Sequence, residues 1–204
     1  VFFNKPTLVI DVGMNVGMSS LYFATKRNVV KVIGFEPVKE TFARAQSNFA
    51  LNEPLRRKIQ AENFGLGDEK RAVEIDVSSE RPGVAGIFGY RGFSRMERNN
   101  LAKAVIHIAS ADAIVKDINS QTDSAVQIVA KIDCEGAEYE IIDSLYRSGS
   151  IKIIGTIMME WHRVEAKGYR PSQLVEVLSK SGFDVVQKDS YSGNAGMLYA
   201  FRTT

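Results

Sequence analysis

The stretch Leu8-Val9-Ile10-Asp11-Val12-Gly13-Met14-Asn15-Val16-Gly17 decides the fold of this 204-residue chain. Its apolar start is rich in β-branched residues and predicts a buried parallel strand. Gly13 and Gly17 then predict a tight turn, and residues 18–26 predict a helix. A strand, a glycine turn and a helix together form a cradle for a small molecule, because backbone N–H groups at the helix start stay open to a ligand.

The glycine spacing does not fit a dinucleotide cofactor. A dinucleotide fingerprint needs Gly-x-Gly-x-x-Gly, but Asn15 and Met18 occupy the second and third glycine positions. Asp11 places a carboxylate just before the turn, where it would repel a pyrophosphate and attract an ammonium or sulfonium group. The ligand is therefore expected to be cationic.

The second predicted strand, Val29–Phe35, ends at Glu36. A carboxylate about 20 residues past the glycine turn can accept two hydrogen bonds from a ribose diol, although it could also simply cap a helix. Pro37 could pack against an adenine ring or begin the following helix, which is predicted over 39–51.

Three later segments extend the pattern: Phe64-Gly65-Leu66-Gly67-Asp68, Lys131-Ile132-Asp133-Cys134-Glu135-Gly136-Ala137-Glu138 and Met159-Glu160-Trp161-His162. With the glycine turn and Glu36, this ordered set resembles the FkbM family of class I S-adenosylmethionine-dependent methyltransferases across nearly the whole chain. The resemblance implies S-adenosyl-L-methionine as cofactor. It also implies O-methylation of a hydroxyl on a small molecule, such as a sugar or a polyketide-type natural product.

The cofactor site implied by this resemblance and by the strand ends has nine members. They are Asp11, Gly13, Met14, Asn15, Gly17, Glu36, Pro37, Asp68 and Asp133. Asp68 inherits a contact with the adenine amino group by resemblance only, and it could instead be a turn-forming aspartate. Because ligands of open α/β sheets gather at the carboxyl ends of strands, Asp133 and Glu135 are expected to face the same crevice as Glu36.

The catalytic candidates are His162, Glu160 and Glu135. Methyl transfer from a sulfonium is an in-line displacement, so the protein mainly supplies alignment and, for a hydroxyl acceptor, a base. A neutral imidazole titrates near working pH, so His162 is predicted to be that base, oriented by Glu160 or Glu135; the alternative is a hydrogen-bonded loop histidine. Cys134 is not expected to act as a nucleophile, since the displacement needs no covalent enzyme intermediate.

A metal-dependent alternative uses the same edge of the sheet. Asp133, Glu135, Glu160 and His162 could hold Mg²⁺ or another divalent ion that acidifies the acceptor hydroxyl. We do not favour this alternative, and no metal is included in the predicted site.

The predicted fold is α/β, a doubly wound, seven-stranded, mostly parallel sheet with a C-terminal antiparallel hairpin, as in class I methyltransferases. Further strands are predicted over 59–66, 73–77, 105–108, 126–132 and 151–159, and the hairpin over 183–188 and 197–202. Glycine-rich residues 79–100 predict a lid over the acceptor site. Within that segment Arg91, Arg95 and Arg98 could hold an anionic acceptor or be solvated arginines.

Composition narrows the function classes. At 45% hydrophobic and 25% charged residues, the chain predicts one globular domain over 1–204. A net charge of +2 does not favour a nucleic acid, and no apolar run approaches the ~20 residues that cross a bilayer. Cys134 is the single cysteine, which favours a reducing compartment. We expect a cytoplasmic protein with a small-molecule acceptor as partner.

Two competing functions remain. A NAD-dependent oxidoreductase is disfavoured by Asn15, Met18 and the closing hairpin. A methyltransferase-fold module that acts on a macromolecule, or that has no catalysis, is left open because fold alone does not decide function.

Overall fold

The computed structural model describes residues 3–78, 101–190 and 193–202. The strands are β1 (Thr7–Val12), β2 (Val29–Phe35), β3 (Ile59–Glu62), β4 (Gly65–Gly67), β5 (Arg71–Ser78), β6 (Leu101–Ser110), β7 (Gln127–Ile132), β8 (Thr156–His162), β9 (Asp184–Asp189) and β10 (Ala195–Phe201). The helices are α1 (Met18–Ala24), α2 (Lys39–Ala50), α3 (Glu53–Arg56), α4 (Ala111–Ser120), α5 (Glu138–Ser148) and α6 (Pro171–Lys180), with 3-10 helices at Ser150–Ile153 and Glu165–Lys167.

Seven strands form the main sheet in the order β3-β2-β1-β7-β8-β10-β9. The first five are parallel, and β10 runs antiparallel to both β8 and β9. This arrangement confirms the predicted fold class, including the C-terminal hairpin. Because β1 lies between β2 and β7, its carboxyl end is flanked by the ends of both neighbours.

The core lies on both faces of the sheet. Successive side chains of β1 point to opposite faces, so Val9 packs in a cluster with Phe23 of α1. Ile10 belongs to the larger cluster on the other face, which includes Val115 of α4 and Ile141 of α5. All six residues of β1 are buried, so the strand that leads into the glycine turn is held on every side.

A second sheet replaces part of the predicted third strand. Residues 59–66 do not form one strand: β3 ends at Glu62, and β4 pairs instead with β6 in a three-stranded sheet of order β4-β6-β5. The break occurs at Asn63, whose side-chain amide donates to the backbone oxygen of Glu36 at 2.9 Å. The chain is thereby held beside the end of β2 and leaves the main sheet.

Other boundaries differ less. The predicted strand over 151–159 starts only at Thr156, because Ser150–Ile153 forms a 3-10 helix after the left-handed Gly149 (φ +76°). The strand predicted over 105–108 spans all of Leu101–Ser110. The predicted lid at 79–100, with Arg91, Arg95 and Arg98, lies outside the described residues. Within the described part of the chain, none of the helices is both long enough and apolar enough to span a bilayer.

Candidate active site

The glycine turn and the end of β7 meet at the carboxyl edge of the sheet. The N–H groups of Gly13 and Met14 both donate to the Phe35 carbonyl oxygen, at 3.0 and 3.1 Å. Gly13 has a φ of +72°, and a Cβ there would lie 1.8 Å from the Asp133 carbonyl oxygen. Only glycine therefore allows the first turn and the β7 end to approach so closely, and this contact forms the floor of a crevice.

Glu36 lies in this crevice at the end of β2. Its side chain accepts hydrogen bonds from two backbone N–H groups, Asn15 to Oε2 at 3.2 Å and Val38 to Oε1 at 2.9 Å. The residue is 6% exposed, and burial raises the pKa of Glu36 to about 7 although both hydrogen bonds lower it. The carboxyl group is thus fixed in orientation and ionises near neutrality.

A cavity with one polar and one apolar side opens above Glu36. It is lined by Val12, Gly13, Asn15, Glu36, Pro37, Val38, Gly65, Leu66, Ile75, Ile106, Ile108, Asp133, Cys134, Glu135 and Ala137. The apolar wall comes largely from the second sheet, two of whose strands were predicted in part but whose separate pairing was not. The Asn15 Oδ1 atom is buried and lacks a hydrogen-bond partner among the described residues.

Five of the nine predicted cofactor residues line this cavity: Gly13, Asn15, Glu36, Pro37 and Asp133. Pro37 does not begin α2, whose N-cap is Val38, so the helix-start alternative does not describe it. Asp11, Met14, Gly17 and Asp68 do not line the cavity.

Asp11 pairs within the fold and does not line this cavity. It is 0% exposed, and its Oδ2 accepts hydrogen bonds from the hydroxyls of Ser19 and Ser20, both at 2.6 Å. Its Oδ1 lies 3.3 Å from Lys131 Nζ. The Asp11 carboxylate, which was predicted to attract a cationic ligand, is therefore paired within the protein. Its contacts join β1 to α1 and β7.

The other three predicted residues outside the cavity have contacts elsewhere in the fold. Met14 is 1% exposed and belongs to a core cluster with Phe49. Gly17 packs so closely that a Cβ would lie 2.5 Å from the Phe49 ring. Asp68 forms an ion pair with Arg71 and lines a different cavity beside Tyr139.

Three glutamate side chains surround the imidazole of His162 near the crevice. Nδ1 lies 2.8 Å from Glu138 Oε1, and Nε2 lies 3.4 Å from Glu135 Oε2 and 3.9 Å from Glu160 Oε1. Burial lowers the pKa of His162, but the hydrogen bond and charge of Glu138, together with the charges of Glu135 and Glu160, raise it to about 9. The imidazole is thus charged at neutral pH.

Glu138 is the functional residue that the sequence interpretation missed. It is 0% exposed and holds the ring through the shortest of the three contacts, so it orients His162 in place of Glu160 or Glu135. The signal was present, since Glu138 closes the quoted segment that begins at Lys131. Its role depends on β8 lying beside α5, which no local pattern reveals.

One cationic side chain, that of Lys131, lies beside the carboxylates of Asp11 and Asp133. Its Nζ donates to the Gly13 carbonyl oxygen at 2.8 Å and lies 3.5 Å from Asp133 Oδ2. Burial lowers the pKa of Lys131, but the charges of Asp11 and Asp133 raise it above the usual range. Asp133, Glu160 and His162 each offer a ligand atom within 4.8 Å of the others, yet Lys131 already supplies positive charge to Asp133.

One family model matches most of the chain. A family model for the methyltransferase FkbM domain matches residues 11–185. The chain is 24% identical over 151 residues to Methyltransferase 1 of Beauveria bassiana (strain ARSEF 2860), which covers 70% of this chain and 60% of that protein. It therefore spans about three fifths of the length of this relative.

Solved structures share the fold. Methyltransferase FkbM from Methylobacillus flagellatus KT aligns with a TM-score of 0.58 at 15% identity, covering 97% of this chain and 44% of that one. Streptococcus pneumoniae Sp1610, solved in complex with S-adenosyl-L-methionine, aligns with a TM-score of 0.53 at 14% identity, covering 100% and 70%. Identities this low show that the fold is shared and no more.

Proposed function

Because the chain belongs to the FkbM methyltransferase family, we propose that it transfers a methyl group from S-adenosyl-L-methionine to a hydroxyl oxygen of a small molecule. A sugar or a polyketide-type natural product is the proposed acceptor class. The observation that carries the proposal is the fixed carboxyl group of Glu36 at the floor of a half-apolar cavity.

The residues of the cavity fit the proposed cofactor. Both Glu36 oxygens retain lone pairs that can accept from a ribose diol after their backbone hydrogen bonds are made. The apolar wall, which includes Leu66 and Ile108, suits a flat adenine ring. The buried Asn15 Oδ1 offers an acceptor to an ammonium group. When bound, S-adenosyl-L-methionine supplies a methyl group on a positively charged sulfur.

The carboxylates that line the cavity favour S-adenosyl-L-methionine over NAD as the cofactor. Asp133 and Glu135 line the cavity together with Glu36, and these groups would repel a pyrophosphate at short range. A sulfonium or ammonium group gains from the same charges. Streptococcus pneumoniae Sp1610, which shares the fold, was solved with S-adenosyl-L-methionine.

The cavity has a volume of about 110 Å³, less than the ~300–1,000 Å³ of typical small-molecule sites. A whole nucleoside would extend beyond this volume. We propose that it extends toward Glu135, which lines the cavity and lies 3.4 Å from His162, so that the methyl group and the acceptor meet there.

The first test is calorimetric titration of the protein with S-adenosyl-L-methionine and, separately, with NAD. We expect binding of the former only, with an affinity that rises with pH up to about 7, because the diol prefers the ionised form of Glu36. Glu36→Gln should weaken binding about 10- to 100-fold and remove this pH dependence.

Glu62→Gln is the matched control, since Glu62 ends the neighbouring strand β3 but does not line the cavity. Binding of NAD in preference to S-adenosyl-L-methionine would reject the proposal. Incorporation of tritiated methyl groups into sugars, polyketides, proteins and RNA then tests the acceptor class.

A further inference from the structure

We infer that Glu135, rather than His162, takes the proton from the acceptor hydroxyl, and that Glu138 and His162 act as positioning residues that hold it. The inference rests on the proposed methyl transfer to a hydroxyl and assigns roles within that site. It reverses the roles expected from the sequence, where the imidazole is the base and a glutamate orients it.

The contacts of His162 leave no ring nitrogen free to accept a proton. Nδ1 is hydrogen bonded to Glu138 at 2.8 Å, and Nε2 faces Glu135 at 3.4 Å and Glu160 at 3.9 Å. Carboxylates on both sides favour a proton on both nitrogens, and an imidazolium has donors only. The fully buried Glu138 makes this state more favourable, since its charge has no solvent to screen it.

Glu135 is placed for the reaction by its backbone. It has a φ of +53°, a left-handed conformation that is rare for a residue with a side chain. The next N–H group, that of Gly136, donates to Glu138 Oε1 at 3.1 Å. One carboxylate oxygen of Glu138 therefore holds both the loop that carries Glu135 and the imidazole that faces it.

Position and charge both separate Glu135 from Glu160. Glu135 lines the cavity and Glu160 does not. Burial raises the pKa of Glu135, the charge of His162 lowers it, and the charges of Asp133, Glu138 and Glu160 raise it again, leaving it above the usual value. Lys131 pairs with Asp11 and Asp133. Glu135 is thus a stronger base than an exposed glutamate, and the charged His162 beside it favours its ionised form.

The proton balance is simple. The acceptor oxygen gains the methyl group, and the sulfur keeps the electron pair of the carbon–sulfur bond, so one positive charge disappears from the cofactor. The hydroxyl proton passes to Glu135 and then to solvent. One proton is released for each methyl group transferred.

Two measurements on the unaltered protein test the inference. The chain has only two histidines, so ¹⁵N-detected NMR can follow both rings, with His107→Gln identifying the other signal. We expect His162 to titrate near pH 9. The methyl-transfer rate should be at its maximum at neutral pH and decline as His162 loses its proton. A rate that instead climbs through the His162 midpoint would make His162 the base and overturn the inference.

Variants separate the proton acceptor from its positioning residues. Glu135→Gln should lower turnover about 10²-fold or more, whereas cofactor affinity should fall much less, because Glu36 and Asp133 still line the cavity. Glu138→Gln should move the His162 midpoint, and the alkaline decline of the rate, down by about one pH unit or more. Asp143→Asn is the control, because Asp143 lies on the same helix but pairs with Arg147 at the surface.

The NMR titration needs no turnover, so its outcome is independent of the proposed function. A His162 midpoint near the ordinary value of about 6.5 would reject the inference even if the protein binds its cofactor. Failure to bind S-adenosyl-L-methionine would reject the proposed function even if His162 titrates near pH 9. Normal turnover of Glu135→Gln would remove Glu135 as the proton acceptor.

Discussion

At the scale of single residues, the crevice depends most directly on Gly13. Gly168 is a left-handed glycine that serves only the backbone: it has a φ of +67° and nothing within 4 Å of an added Cβ. Gly13 combines the same conformation with a contact to the Asp133 carbonyl. Position 13 therefore requires glycine for two reasons. The turn needs a left-handed residue, and the ends of β1 and β7 pack too closely for a side chain.

Gly13→Ala should lower the free energy of unfolding by about 3 kcal/mol or more, because the β1 turn and the β7 end must separate. Gly168→Ala is the matched control and should cost only the left-handed strain of about 1–2 kcal/mol. Urea denaturation of the two variants checks the difference. Equal losses would show that the contact with Asp133 does not constrain the site.

The position of a site residue could be predicted from the sequence where it lies at a strand end or in a turn beside one. Glu36 and Asn15 follow from strand ends and a turn, which local patterns reveal. Asp11 could not be placed correctly, because its charge is balanced by Lys131, 120 positions along the chain. The carboxylate pattern was visible in the sequence, but its internal neutralisation was not.

At the scale of elements, Lys131 joins the two central strands. Its ammonium group contacts the Gly13 carbonyl oxygen and Asp11 of β1, and Asp133 at the end of its own strand. Lys103 has a similar pair of acidic neighbours, Glu74 and Asp76, at the exposed surface of the second sheet. The two lysines therefore form a natural comparison between a buried and an exposed bridge.

Lys131→Met should lower the free energy of unfolding by about 3–5 kcal/mol, because Asp11 is left buried with an uncompensated charge. Lys103→Met should change stability little, since exposed pairs are screened by solvent and salt. Guanidinium denaturation at neutral pH measures both. If Lys131→Met is as stable as Lys103→Met, the strands are not held together by this ammonium group.

The parallel strands and crossover helices were predictable because each carries its own apolar period. The strands over 73–77 and 105–108 were also predicted, but their pairing into a second sheet was not. β4 has only three residues, too few for a period, and it pairs with β6 more than 40 positions later. The sequence therefore did not show that these strands form the apolar wall of the cavity.

At the scale of the whole molecule, a cavity of about 420 Å³ beside Tyr139 and two others are candidate ligand sites. The larger of these two others, about 400 Å³, lies away from Glu36 and is lined by residues that include Ile33, Phe64, Ile118 and Val126. The smaller one lies at the carboxyl ends of β1, β2 and β7. Volume disfavours the smaller cavity, whereas strand polarity and the fixed Glu36 carboxyl group favour it.

Hydrogen exchange decides between them without any assumption about the acceptor. Saturation with S-adenosyl-L-methionine should slow exchange at residues 13–15, 36–38 and 134–136, because a ligand in the smaller cavity would cover these backbone segments. Residues 117–126, beside the larger cavity, should exchange at the same rate with and without the cofactor. The Glu36→Gln variant at the same cofactor concentration serves as the control, and its protection should weaken at all three segments together. Protection confined to 117–126 would place the cofactor in the larger cavity, and Glu36 would then have no part in holding it.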